Sequence, residues 1–254
     1  MLILLSPTKI QNFEKQTVTK SFTLPKYMSH AEKLISLMRQ LSPTEISKLL
    51  AINAKLTELN YDRYFNWHLP FTPQNAKQAA LVFAGEVFRG LDAKSFSESD
   101  FEFAQQHLMI LSGLYGALRP LDLIQPYRLE ISSALANEQG KNLYGFWKNT
   151  LTKHVLDELK IIKSQLIVNL ASSEYFKALD LKSSNVQIID VEFLEYKNDS
   201  LKPIVIYTKK ARGMMARYLI TNKIDNAEAI KGFSDGGYWF NPQLSTENKL
   251  VFVR

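Results

Sequence analysis

Short runs rich in aliphatic and β-branched residues recur from one end of the chain to the other: Leu2–Leu5, Leu81–Phe83, Leu108–Leu111, Leu166–Asn169, Gln187–Phe193, Ile204–Tyr207 and Leu250–Val253. Their length and their aliphatic and β-branched content read as strands. Several are apolar at every position, and a strand of that kind needs cover on both faces. A sheet buried on both sides requires helices above and below it, and the intervening segments supply them. His30–Leu41 sets Leu34, Leu37, Met38 and Leu41 at helical spacing. Ser42-Pro43-Thr44-Glu45 then has the form of a capping box with proline at the first helical position, opening a second helix through Leu50, Leu56 and Leu59. Ser97-Glu98-Ser99-Asp100 places acids in a first turn that leads into Phe101–His107, and further helices are expected over Gly145–Leu159 and Ala211–Lys223. No repeat, low-complexity tract or long linker divides the chain. The expectation is a mixed α/β (α+β) fold, one compact domain over residues 1–254, with a central, mostly buried sheet and a helical insertion near residues 30–68.

Composition excludes several functions. The 254 residues include no cysteine, which removes disulfides, thiolate metal sites and cysteine-based redox chemistry. His30, His68, His107 and His154 lie far apart with no HxxxH or HxH pair, so neither a metal site nor a cofactor is expected. The opening MLILLSPTKI reads as a first strand rather than a secretion signal, and no window approaches the length of a membrane span. The expectation is a cytoplasmic protein that does not engage membrane. The formal charge of +6 suits a polyanionic partner wherever the positive side chains cluster.

The most unusual segment is Leu111 to Glu130, LSGLYGALRPLDLIQPYRLE. Gly113 and Gly116 permit backbone conformations that other residues disfavour, and Pro120 and Pro126 stiffen the second half of the segment. A rigid loop of this kind would present Arg119, Asp122, Tyr127, Arg128 and Glu130 from a fixed scaffold, where binding groups concentrate.

Three further segments carry polar groups at strand ends. Ser6-Pro7-Thr8-Lys9 comes after the first strand, where Lys9 could meet an anion above a sheet crevice. Asn169-Leu170-Ala171-Ser172-Ser173-Glu174-Tyr175 ends another strand with small polar residues, which would cap a helix carrying Glu174 in its first turn. Lys209-Lys210-Ala211-Arg212-Gly213-Met214-Met215-Ala216-Arg217 concentrates four cations near a helix start, against the dipole. Lys210 and Arg217 would share one face and Arg212 another. Phosphate contact is the use that best suits them.

These segments together resemble the YaaA family of bacterial peroxide-stress proteins. The likeness runs end to end and rests on Met1-Leu2-Ile3-Leu4 with Ser6-Pro7 and Lys9, on the SESDFEFAQQHL segment, on the LSGLYGALRPLDLIQPYRLE block, on Asn142-Leu143-Tyr144 with Phe146-Trp147, on Asn169-Leu170-Ala171-Ser172 with Glu174-Tyr175-Phe176, and on Lys209-Lys210-Ala211-Arg212-Gly213. Thr8 stands where the family commonly has alanine. The resemblance implies a cytoplasmic protein that limits damage from free intracellular iron under peroxide, with a compact α/β fold, a positively charged cleft, a helix–hairpin–helix-like element near residues 101–130 and double-stranded DNA as partner. Gly113 and Gly116 supply the glycines such a turn needs for backbone N–H groups to approach a phosphate, but Pro120 falls where its second helix should run, and a strand followed by a rigid loop fits equally well.

Two functions of different class are therefore expected. In the first, a non-catalytic protein holds duplex DNA with Lys9, Gly113, Gly116, Arg119, Arg128, Lys209, Lys210, Arg212 and Arg217, while Tyr127, Asn169, Ser172 and Tyr175 touch a base or ligand; no obligate protein partner is inferred. In the second, an enzyme acts on a nucleobase, nucleoside or nucleic acid, with Glu130 and Glu174 as acids for cleaving an N-glycosidic bond. Direct iron binding by carboxylates is a weaker third, because no ExxH pair is present.

Overall fold

The computed structural model describes residues 1–16 and 18–254. In chain order, β1 (Leu2–Leu5) precedes α1 (Met28–Gln40), α2 (Pro43–Leu50) and α3 (Ala54–Asn66). Then come β2 (Lys77–Gln78), α4 (Ala79–Val82), α5 (Glu86–Leu91), α6 (Glu98–His107), β3 (Leu108–Ser112), β4 (Gly116–Leu118) and β5 (Leu123–Ile124). The chain continues through α7 (Leu143–Ile161), β6 (Leu166–Asn169), α8 (Ser173–Phe176), β7 (Gln187–Lys197) and β8 (Ser200–Lys202). It ends with α9 (Val205–Thr221), α10 (Ala227–Ile230), β9 (Trp239–Phe240) and β10 (Lys249–Val253).

The main sheet runs β4-β3-β1-β6-β7-β10-β9, with β8 pairing β7 beside it. Strands β3, β1, β6, β7 and β10 are parallel, and β4 and β9 close the two edges antiparallel. Leu2, Ile3, Leu4 and Leu5 have no exposed surface, as a central strand covered on both faces requires. The chain leaves β1 toward β3 but leaves β6 toward β7. Connections therefore part at the β1–β6 seam, where the carboxyl ends of parallel strands leave a crevice.

Local chemistry sets the helix boundaries. Ser42 and Glu45 form the reciprocal capping box of α2 with Pro43 behind it, and Ala51 in the left-handed conformation ends that helix. Asn53 then accepts from the Leu56 N–H to start α3, so the helix expected to run through Leu59 is two helices. Ser97 and Asp100 cap α6 in the same reciprocal way. Among the described residues, no helix is long and apolar enough to cross a membrane.

Three expectations change. Leu81 and Val82 end α4, and Phe83 caps it while bridging to Gln11. Ile204 is the N-cap of α9, which makes Val205, Ile206 and Tyr207 its first turn instead of a strand. The helix–hairpin–helix reading also falls, because α6 passes directly into β3 and a tight turn returns the chain as β4. Both glycines of that segment are buried in packing. A Cβ on Gly113 would stand 2.8 Å from the Glu130 carbonyl carbon and 2.9 Å from the Ile131 nitrogen, while Gly116 turns at φ +71° against the Trp147 ring. Neither glycine lies on a surface a phosphate can reach.

Candidate functional site

A pocket of about 460 Å³ opens beside the carboxyl ends of β1 and β6. Its floor is the seam itself. The Ser172 N–H donates to Ser6 Oγ at 2.8 Å and the two hydroxyls meet at 3.2 Å. Ser172 precedes α8 but makes no side-chain cap, contrary to the capping expected of it; its hydroxyl accepts instead from Ser6, in the loop just after β1.

One wall is the strap Tyr127 to Glu130, held against the β3–β4 turn by the close approach at Gly113. Within it the Arg128 Nε donates to Glu130 Oε1 at 3.1 Å, and Lys9 Nζ reaches the same oxygen at 3.2 Å from the loop after β1. Glu130 Oε2 is buried with no hydrogen-bond partner among the described residues. The Tyr127 hydroxyl is turned inward to Ser112 Oγ at 2.8 Å, and burial raises its pKa, as it does that of Tyr175.

The opposite wall comes from α5 and α9, which cross backbone to backbone. Gly90 faces the Lys210 carbonyl, and a Cβ on Gly213 would overlap the Val87 carbonyl and stand 2.7 Å from the Leu91 nitrogen. Only glycine allows that approach, and it brings the neighbouring Arg212 and Lys209 to the pocket beside Gly85, Glu86 and Arg89. Arg212 Nε is buried with no hydrogen-bond partner among the described residues. Burial pulls its guanidinium below the ordinary arginine pKa, opposed by the nearby Asp190 carboxylate. Glu174 completes the rim, its Oε1 accepting from Ser132 Oγ at 2.6 Å.

The pocket thus gathers the cations Lys9, Arg89, Arg128, Lys209 and Arg212 against the acids Glu86, Glu130 and Glu174. Two of its buried polar atoms, Arg212 Nε and Glu130 Oε2, have unspent hydrogen-bonding capacity, and such groups are rare unless a ligand or water completes them. A suitable ligand would carry an acceptor for Arg212 and a donor for Glu130.

Of the residues singled out in the sequence, Lys9, Tyr127, Arg128, Glu130, Ser172, Glu174, Tyr175, Lys209 and Arg212 converge here. Others do not. Arg119 follows β4 beside the start of β3, at the far end of the sheet, where it pairs with Glu158. Arg217 lies 3.7 Å from Asp92 and over the Phe96 ring. Lys210 is exposed outside the pocket, and Asn169 is spent on Asp190 at 2.7 Å and on the Ala171 N–H. Sequence reasoning missed the α5 contribution of Gly85, Glu86 and Arg89. The signal was the glycine pair Gly90 and Gly213, whose partnership becomes visible only once the helices cross.

Residues 1–244 match the family model described as "Peroxide stress protein YaaA". That match spans nearly the whole chain, including every segment that lines the pocket. The chain belongs to the YaaA family of peroxide stress proteins.

Proposed function

We propose that this chain serves the peroxide response by binding DNA at the basic pocket, with the duplex against the mouth and one nucleotide drawn into the cavity. The observation that carries this reading is the convergence of five cationic side chains on a space of about 460 Å³. That volume lies within the range of small-ligand pockets and is far too small for a double helix. A single extruded nucleotide suits it. Arg212 would take a phosphate oxygen, and Glu130 Oε2 would accept from a base N–H or a sugar hydroxyl.

Fluorescence anisotropy across a salt series tests the reading. Each phosphate contact contributes about −0.9 to the slope of log affinity on log salt. Replacing Lys209 and Arg212 together with alanine should flatten the slope by ~1.8 units. An unchanged slope and affinity would remove the pocket from DNA binding. The role in limiting damage from free intracellular iron is proposed on family membership alone; an equilibrium iron titration separates direct uptake from an effect exerted through DNA.

A second reading, cleavage of an N-glycosidic bond, is favoured by the unpartnered Glu130 Oε2 inside the pocket with Glu174 on the same rim. Screening damaged DNA and nucleosides for product would reveal it. Full product formation by both Glu130→Gln and Glu174→Gln would exclude these acids from the chemistry.

A further inference from the structure

At the lip of the pocket an aliphatic side chain stands in water. Ile10, in the loop after β1, is 62% exposed and borders the cavity. Among the described residues, no other exposed large apolar side chain borders it. A lone exposed aliphatic residue is ordinary on a protein surface, so what sets Ile10 apart is its mounting and its company. The Ala84 N–H donates to the Ile10 carbonyl at 3.0 Å and the Asn12 N–H to the Val82 carbonyl at 2.8 Å, which pins the loop to the segment joining α4 and α5. The next residue, Gln11, bridges Phe83 and accepts through Oε1 from the Tyr127 N–H at 3.2 Å, which pins the loop to the strap as well. The backbone at Ile10 is thus held from two sides, and a β-branched side chain has little rotamer freedom of its own.

Both signs of charge surround the pocket, but they are not equally placed. Lys9, directly before Ile10, pairs with Glu130 at 3.2 Å, and Arg89 pairs with Glu86 at 2.6 Å. The two cationic side chains are 64% and 66% exposed, against 15% and 23% for their acids. The water-facing members of both pairs are therefore positive, and the aliphatic side chain follows directly on one of them. A protein partner would ask for an apolar patch wider than one side chain. A base stack asks for a single stiff aliphatic wedge with groups beside it that neutralise phosphates.

Drawing one nucleotide out of a duplex leaves a gap in the stack, and apolar atoms that fill the gap hold the nucleotide out. We propose that Ile10 is that wedge, entering the base stack of duplex DNA beside the pocket mouth. This rests on the pocket reading and deepens it: the cations hold the backbone, the cavity holds the extruded nucleotide, and Ile10 keeps the duplex open. Because Ile10 carries no charge, its contribution is separable from that of the phosphate contacts.

The test uses 2-aminopurine, a fluorescent base that brightens when it leaves the stack, placed at a single mismatch in a short duplex, where extrusion costs least. Adding the full chain should raise its emission. In Ile10→Ala most of that rise should be lost. The substitution removes three side-chain carbons, about two of them newly buried in the stack, and each contributes a factor of about four, so affinity by anisotropy should fall roughly 10- to 20-fold. The slope of log affinity on log salt should stay at the parental value, unlike that of the Lys209 and Arg212 double variant. Ile10→Leu should keep the rise. Ile161, 69% exposed at the end of α7 and outside the pocket lining, supplies the control, and Ile161→Ala should match the parent. An undiminished rise in Ile10→Ala, or equal losses in Ile10→Ala and Ile161→Ala, would overturn the wedge and leave the pocket reading standing. Salt-sensitive binding by the parent with no rise in emission would overturn the wedge and the extruded nucleotide together, leaving only backbone contact at the cations. No anisotropy change with any duplex would remove the wedge and the pocket reading alike.

Discussion

Gly213→Ala should destabilise this protein even though alanine is the better helix former. In an open helix interior the substitution gains about 1 kcal/mol. Here the new methyl would overlap the Val87 carbonyl oxygen and stand 2.8 Å from its carbon and 2.7 Å from the Leu91 nitrogen. All three neighbours are backbone, so no rotamer change gives relief and α9 must move off α5 by an amount on the order of an ångström. Overpacking of this kind costs typically 1–3 kcal/mol. With rigid neighbours the upper value of about 3 kcal/mol applies, and subtracting the propensity gain leaves a net loss of about 2 kcal/mol. In a chain of this size that lowers Tm by roughly 4–8 °C. Urea denaturation should show the same loss in midpoint with an unchanged m value. Gly90→Ala meets the same interface from the other side, at the Lys210 carbonyl and 2.8 Å from the Met214 nitrogen. Since one separation relieves both, the double variant should lose less than the sum of the singles by about 1 kcal/mol or more. A Gly213→Ala protein as stable as the parent, or strictly additive losses, would refute the close crossing and with it the account of how Arg212 reaches the pocket.

Gly113→Ala should push the strap away from the β3–β4 turn, costing about 1–3 kcal/mol in denaturation and weakening the proposed DNA binding beyond the stability loss, because Arg128 and Glu130 ride on that strap; binding at parental affinity by a folded variant would contradict the proposed role of the strap. His154 should impose an acid limit on stability. Burial first, and the Lys26 ammonium 3.0 Å from its Nδ1, push its pKa down to about 4, so the folded state holds the neutral ring. Its contribution is fully present above the ordinary value near 6.5 and is lost as pH falls toward 4, with a slope of up to ~1.4 kcal/mol per pH unit. Urea midpoints between pH 7 and pH 4 should fall less steeply in His154→Asn, and an identical slope would show that another group carries the acid response.

The elements legible in the sequence were those whose signals are local. Ser42 with Glu45 and Ser97 with Asp100 announce helix starts through bonds spanning three residues, and the structure forms both boxes. Leu2–Leu5 and Leu166–Asn169 are apolar almost throughout because both faces are covered, and they are strands. Leu81–Phe83 and Ile204–Tyr207 look alike in composition but belong to helices, with Phe83 and Ile204 as their caps, since a run of three or four apolar residues has no period to read. Val205, Ile206 and Tyr207 are exposed despite their apolar character. The site was legible only as separate fragments. Arg119 and Arg128 are indistinguishable by type and neighbourhood, yet the reversal at Gly116 carries Arg119 to Glu158 at one end of the sheet while the strap carries Arg128 to Glu130 at the other. Which arginine lines the pocket is decided by strand direction, a property no short window contains.

The central position of β1 has a kinetic consequence. Its partners are β3 and β6, so Leu4 pairs with Met109 and with Asn169. On a ribosome adding about 5–20 residues per second, Leu2–Leu5 waits on the order of ten seconds or longer for its second neighbour to be made. Both edges of that strand stand open until β3 is made and one edge thereafter, along with four aliphatic side chains, the condition under which nascent chains misassociate. The β1–β6 seam that will floor the pocket is available only after that wait. A chain that stalls short of Asn169 therefore has a half-bound strand and no site at all, which makes synthesis speed and chaperone supply part of how much working protein a stressed cell obtains.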